Sequence, residues 1–198
     1  MSKEDTLKKW MPKHRRKRAV IYDFDNTLFR SLTREEGEPI YREHTGQNWP
    51  HSGWWGRAET LQPPFVLDPI TEAYFLPEVL EAYRKDRACS ESNVYLMTGR
   101  PAKMRHRVRE ILDAVNVTFD EYYFRGMKGQ PGHGDTLEIK LALMQSEIIH
   151  PALEVLEIWE DRPEHSSRFM TEARRWKGKY KLEKIIVHDV PTKQHHEF

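Results

Sequence analysis

Four short stretches carry side chains of the kinds that handle phosphate and divalent cations. Asp23 and Asp25 stand in DFDNTLF, Thr98 and Arg100 in LMTGR, and Glu160, Asp161 and Arg162 in WEDR, while Lys140 falls between the last two stretches. On extended chain, carboxylates two residues apart are separated by about 7 Å, so in a weakly solvated cleft they repel. A hard cation removes that penalty, and carboxylate oxygens suit Mg2+. Asp161 would complete the negative ring, and Thr98, nearby backbone N–H groups and Lys140 would hold phosphate oxygens. A carboxylate is also a nucleophile toward phosphorus. The chemistry that fits is phosphoryl transfer through an aspartyl-phosphate.

These residues become one site only if the chain brings them to one place. Ala19–Phe24, Asn93–Met97, Val155–Trp159 and Ile185–Val187 are short apolar runs rich in β-branched and aromatic residues, the pattern of buried strands in a parallel sheet. Between them, helical spacing recurs in three places. Met104, Val108, Ile111, Leu112 and Val115 follow Pro101; Leu137, Leu141, Met144 and Ile148 follow Asp135; Phe169, Met170, Ala173 and Trp176 follow Pro163. Asp135 with Glu138 predicts a capping-box-like start, and Pro163 suits a first helical position. A further helix is expected just before Cys89. Strand–helix alternation predicts an α/β fold, a Rossmann-like parallel sheet sandwiched by helices. In such sheets ligands bind beyond the carboxyl ends of the strands, which is where three of the four chemical stretches fall.

The stretch 30–75 breaks the rhythm with Trp49, Trp54 and Trp55 together with Pro39, Pro50, Pro63 and Pro64, and is expected to be a cap-like insertion after the first strand. The Gly/Pro-rich stretch 126–134 reads as a loop, with His133 exposed. The expected organisation is a basic arm at 1–18, one domain at 19–190 and a tail at 191–198. The arm carries eight Lys/Arg against Glu4 and Asp5, a charge of +6, so the rest of this chain of net charge +1 carries −5. Such an arm suits a polyanion; a solvated tail or a localisation signal is the alternative. No apolar run approaches the roughly 18 residues of a membrane span, and no apolar stretch near the start suits a secretory signal. One cysteine, Cys89, excludes an internal disulfide framework. An intracellular protein, cytoplasmic or nuclear, with no membrane partner is expected.

The four stretches, in this order, resemble the four motifs of the haloacid dehalogenase (HAD) superfamily over residues 19–165. The resemblance implies Mg2+ as cofactor and a role for each matching residue. Asp23 would be nucleophile and metal ligand. Asp25 would be general acid/base, with its backbone carbonyl on the metal. Thr98 would bind the transferring phosphate and Lys140 would neutralise the phosphoaspartate. Asp161, or less favourably Glu160, would ligate the metal. Asn26, Thr27 and Gly99 would line the phosphate site. An acid/base Asp25 implies a phosphatase, not a dehalogenase. A narrower resemblance rests on Gly53-Trp54-Trp55 together with EDRxxH, Glu160 to His165. These are similar to the HAD domain of Swiss Army knife RNA repair proteins, which is similar in class to the phosphatase half of phage polynucleotide kinase/phosphatase. That likeness implies a terminal phosphate, most plausibly 3′, on RNA or DNA. No GxxxxGK[ST] loop is present, so a kinase or ligase activity would come from a separate chain.

Several residues carry two readings. Trp54 and Trp55 suit stacking on exposed bases or pinning the insertion to the core. Arg57 suits phosphate contact or solvation. Arg100 and Arg162 suit phosphate recognition or an ion pair that orients a loop, with Arg100 leaning to substrate. His165 suits orienting a carboxylate or a structural role, and His188, His195 and His196 a metal site or an unordered terminus. Two other functions compete with end repair: a HAD phosphatase for a small metabolite or phosphoprotein, and a non-catalytic binding module.

Overall fold

The computed structural model describes residues 16–127, 134–180 and 182–198. The basic arm up to residue 15, most of the Gly/Pro-rich stretch and His133 lie outside the described residues. The strands are β1 (Arg18–Tyr22), β2 (Ser92–Pro101), β3 (Glu121–Arg125), β4 (Val155–Glu160), β5 (Lys184–Asp189) and β6 (Gln194–Glu197). The helices are α1 (Arg34–Thr45), α2 (Pro77–Ala88), α3 (Arg105–Asp113), α4 (Thr136–Leu143) and α5 (Pro163–Lys179). One six-stranded sheet runs β3-β2-β1-β4-β5-β6, parallel except for β6. This is the α/β layering that the alternation predicts.

Strand periodicity divides the core. Val20 and Tyr22 face a cluster with Tyr83, Val108, Ile111 and Leu112, covered by α2, α3 and the insertion. Ala19 and Ile21 face the opposite cluster, with Met144, Phe169, Ala173 and Trp176 from α4, the turn after it and α5. Successive residues of a strand point to opposite faces, so a strand covered on both sides must be apolar where it is buried, as β1 is from Ala19 to Tyr22.

The structure departs from the sequence reading in particular ways. Strand β2 continues past Met97 because Thr98 and Pro101 still pair with β3 across an irregularity in register. Strand β3, EYYFR, escapes an apolar-run search because only Phe124 is fully buried. Asp135 does cap α4, but its carboxylate accepts from the Leu137 N–H rather than completing a capping box. The box forms at α1 instead, between Thr33 and Glu36. Arg16–Arg18 belong with the sheet rather than with an arm: Arg16 binds Asn93 and Ser92, and β1 starts at Arg18. At the other end, residues 194–197 pair as β6 with His195 opposite His188, so this part of the tail is a strand.

The insertion is built on its tryptophans. Trp49 and Trp54 lie 4.8 Å apart between ring centres, and Phe65 lies 5.2 Å from Trp54. Trp54 sits so close to α1 that a Cβ on Gly37 would lie 2.1 Å from its ring, which is why a glycine occupies the middle of that helix.

Candidate active site

The strand register fixes where the chemistry falls. Tyr22 lies level with Leu96 of β2 and Trp159 of β4, so Asp23, Thr98 and the Glu160-Asp161 pair all emerge at the same sheet edge. The Asp23 N–H donates to the Trp159 carbonyl at 3.1 Å, extending the β1–β4 ladder by one bond. The chain order reverses between β1 and β4, and at such a switch point α/β sheets open their ligand crevice. Beyond Asp25 the chain turns sharply. Asn26 takes a left-handed φ of 54°, its side-chain oxygen accepts from the Ser31 N–H, and its own N–H donates to Phe29. Asn26 therefore shapes the turn with its side chain, in place of the substrate contact expected of it.

One oxygen from each of Asp23, Glu160 and Asp161 lies within 4.8 Å of the others. Lys140 reaches into this group from α4, with Nζ 3.0 Å from Asp23 and 2.7 Å from Glu160. Burial alone would lower the Lys140 pKa, but the two carboxylates carry it above its ordinary value, so the ammonium stays charged. Burial pushes the Asp23 carboxyl up, and Glu160 and Asp25 add to it against the pull of Lys140. Asp161 is raised by the same combination of burial and the charges of Asp23 and Glu160. Glu160 goes the other way despite its burial, because Lys140 and His165 favour its charged form. With every group ionised, three carboxylates and one ammonium leave a formal charge of −2, matched to a divalent cation. The Asp161 Oδ1 atom is buried with no hydrogen-bond partner among the described residues. An orphaned carboxylate oxygen beside two other acids fits a hard cation. Asp23, Asp161 and Glu160 are thus the residues present that would hold one, with Glu160 the most committed elsewhere.

Asp25 faces a different partner. Both its oxygens accept from Arg100, from Nε at 2.8 and 3.1 Å and from Nη2 at 2.7 Å, and Ser31 Oγ donates to it as well. Arg100 Nη1 donates to the Trp55 carbonyl and to Thr60 Oγ1. The Arg100 side chain has 0% exposure. This corrects its assignment to substrate: Arg100 is consumed in holding Asp25, because five donors in a rigid fork meet a planar carboxylate bidentately.

The remaining residues sort by contact. Thr98 is buried with its Oγ1 accepting from the Arg100 N–H, which leaves the hydroxyl proton free to donate. Thr27 is fully buried, and its hydroxyl has no partner among the described residues. Gly99 has a packing role: a Cβ there would lie 2.8 Å from Thr136 Cγ2, so its bareness lets the start of α4, and with it Lys140, approach the sheet edge. Trp54 is not a stacking platform, since it is buried and its Nε1 donates to the Leu32 carbonyl. Trp55 is partly buried, with its ring 5.3 Å from the Arg100 guanidinium. Arg57 caps the short helical turn at Ala58–Leu61 through its backbone. Arg162 stands at the N-cap of α5, where its N–H points to Glu160 at 3.4 Å. His165 is buried with Nδ1 3.4 Å from Glu160. His188 stacks on Trp159 and binds Glu157, and among the described residues only Asp23, Glu160 and Asp161 group as metal ligands. Sequence reasoning missed Ser31, Thr60, Thr136 and the Trp55 carbonyl; they stand in loops, in the short turn Ala58–Leu61 and at the first position of α4, and no motif marks them.

Residues 40–196 match HAD domain family 1 in Swiss Army Knife RNA repair proteins, a match that begins downstream of Asp23 and Asp25. No curated protein sequence matches the chain at a significant level. Among solved structures, a chain of the Pnkp1/Rnl/Hen1 complex is similar with a TM-score of 0.52 and 19% identity, over 79% of this chain and 43% of that one. A second, of the Pnkp1/Rnl/Hen1 RNA repair complex, gives 0.50 and 20%, over 79% and 40%. The class C acid phosphatase from Bacillus anthracis with tungstate bound gives 0.47 and 14%, over 95% and 71%. The chain thus spans less than half the length of the two repair-complex chains. With the family match covering most of its length, the chain belongs to HAD domain family 1 of the Swiss Army Knife RNA repair proteins.

Proposed function

We propose that this chain is a Mg2+-dependent phosphatase that works through Asp23 and removes a terminal phosphate, the 3′ one first, from RNA or DNA. The observation that carries the chemistry is the cluster of Asp23, Glu160 and Asp161 with Lys140 between its members. An Asp23 oxygen attacks phosphorus as the bond to the leaving alkoxide breaks, and Asp25 gives that alkoxide a proton. Asp25 then takes a proton from water, whose oxygen attacks phosphorus and frees Asp23 and inorganic phosphate. Thr98 donates to a phosphoryl oxygen, and Lys140 offsets the charge of the phosphoaspartate. Mg2+, when bound, neutralises the phosphoryl oxygens and the carboxylates around them. Arg100 fixes the direction in which Asp25 delivers its proton.

The choice of nucleic acid as substrate draws on the repair proteins for which the family is named and on the basic composition of residues 1–18. A separate kinase or ligase chain would then complete the repair. The test is phosphate release with Mg2+ from matched oligonucleotides ending in a 3′-phosphate, a 5′-phosphate or a 2′,3′-cyclic phosphate, with Asp23→Asn as blank. Release from the 3′ end alone is expected. Release from none of them, with p-nitrophenyl phosphate still hydrolysed, would move the reading to a small phosphometabolite or phosphoprotein. A binding module without catalysis would hydrolyse neither.

A further inference from the structure

Helix α3 leaves the end of β2 directly after Thr98, Gly99 and Arg100, so its start stands at the edge that carries the site. Residues 93–109 hold five Lys/Arg and no Asp or Glu, in a chain whose residues 19–198 are net negative. Two of the five are committed, Arg100 to Asp25 and Arg107 to the Leu61 carbonyl. Lys103, Arg105 and Arg109 are exposed and make no ion pair with a described residue. Many other described cations are paired, as in Lys17–Glu154, Arg34–Glu38, Lys85–Glu81, Arg87–Asp120 and Lys184–Glu197; what sets these three apart is that they lie together on one face with no acid among their neighbours in sequence from 93 to 109.

The placement of these cations opposes the helix itself. The first turn of α3 contains no acid and begins Arg105-His106-Arg107, where the positive end of the helix dipole favours acids. Stability alone would select the opposite charge here. Beside the helix, between α3 and β3, lies a cavity of about 320 Å³ bounded by Arg105, Arg109, Tyr122, Phe124 and Met127, with Glu121 its one acid. The Arg109 guanidinium carbon sits over Tyr122, 4.2 Å from the ring centre. Its other face is a surface on which a base can stack. A cationic row for phosphates beside an apolar, aromatic-floored hollow matches single-stranded nucleic acid better than an acidic peptide, which has no flat rings to fill the hollow.

We propose that the α3–β3 face, with Lys103, Arg105 and Arg109, binds the single-stranded nucleic acid that trails from the terminal nucleotide in the active site. The proposal rests on the nucleic-acid reading of the site, and its test is separable from that reading because it measures binding, not hydrolysis. The full chain carrying Asp23→Asn binds a fluorescein-labelled single strand, RNA or DNA, followed by anisotropy from 50 to 200 mM salt. Lys103→Glu/Arg105→Glu/Arg109→Glu is compared in the same background, with Arg174→Glu/Lys177→Glu/Lys179→Glu on α5 as the control of equal net charge. Three phosphate contacts on a single strand contribute a log–log salt slope of about −2, so over this fourfold range the parent loses about 20-fold more affinity than the triple variant. Weaker binding and that shallower slope in the triple variant alone support the proposal. Glutamate suits the first helical turn at 105, but Arg109→Glu gives up the contact with Tyr122, so melting curves of parent and triple variant are recorded and binding is compared at a temperature where both are folded, which separates lost binding from lost fold. Equal binding by parent and triple variant, an equal loss in the α5 control, or capture of an acidic peptide or anionic vesicles but no oligonucleotide would overturn it. Binding that persists while no oligonucleotide end is dephosphorylated would remove the proposed substrate and leave the surface standing.

Discussion

Arg100→Met separates the role the sequence suggests for this arginine from the one its contacts describe. The substitution leaves Asp25 buried beside Ser31 with its cation gone, and empties the donors that Trp55 and Thr60 accept. Breaking a buried pair by removing one partner costs about 3–5 kcal/mol. In a domain of this size that is a fall in melting temperature of roughly 6–20 °C. Adding Asp25→Asn removes the stranded charge, so the double variant should be more stable than Arg100→Met alone. The kinetic arm uses p-nitrophenyl phosphate at a temperature where the variant is folded. An arginine that acts through Asp25 should lower kcat by about 100-fold or more and leave KM within a few-fold, whereas a phosphate ligand should raise KM. Wild-type stability in Arg100→Met, or a double variant no better than the single, would refute the ion-pair argument. A large rise in KM at constant kcat would return Arg100 to the substrate.

Other perturbations test the rest of the site. Saturation with Mg2+ at about 100 times its dissociation constant should stabilise the fold by about 2.7 kcal/mol; calorimetry should show that gain shrink in Asp161→Asn, whose Oδ1 is the orphaned ligand. Gly99→Ala forces a Cβ to 2.8 Å from Thr136, a clash costing about 1–3 kcal/mol in denaturant unfolding, and Thr136→Ser should recover part of it by removing Cγ2. Glu157 is buried, yet its hydrogen bond to His188 and the charge of Arg18 hold its pKa below the usual 4.5. A depressed carboxylate contributes stability that is fully present above its unfolded pKa and is lost as pH falls through its folded one. Glu157→Gln should therefore flatten the loss of stability below about pH 4.5, measured by urea midpoints across pH.

The parts legible in the sequence were those that obey a period or a chemical type. Ala19–Tyr22 and Val155–Trp159 announce buried strands because a strand covered on both faces is apolar at nearly every residue, the exception, Glu157, being held by Arg18 and His188. Asp23, Thr98, Lys140 and Glu160-Asp161 announce one edge because strand ends share it. Strand β3 was not legible, since an edge strand that exposes Glu121 and half-buries Tyr122 and Tyr123 has no apolar run to show. Nor was β6, whose Gln-His-His-Glu is polar and is held by backbone pairing to β5. The partner of Arg100 was illegible for another reason: residues 75 apart meet only once the sheet is assembled.

That meeting changes what the insertion does. A cap over the site would be read from its position after β1, but its bonds describe a buttress. Trp49, Trp54 and Phe65 pack the insertion into the core, and from that packed base the Trp55 carbonyl and Thr60 hydroxyl grip Arg100 Nη1. Arg100 in turn fixes both oxygens of Asp25, two residues from the nucleophile. The packed tryptophans thus connect to Asp25 through three successive contacts. A guanidinium whose donors are fixed on both sides cannot swing away from Asp25, as the proton delivery proposed for Asp25 requires. The aromatic insertion and the acidic strand ends therefore form one device, in which packing energy on one side of the sheet supplies directional control at its edge.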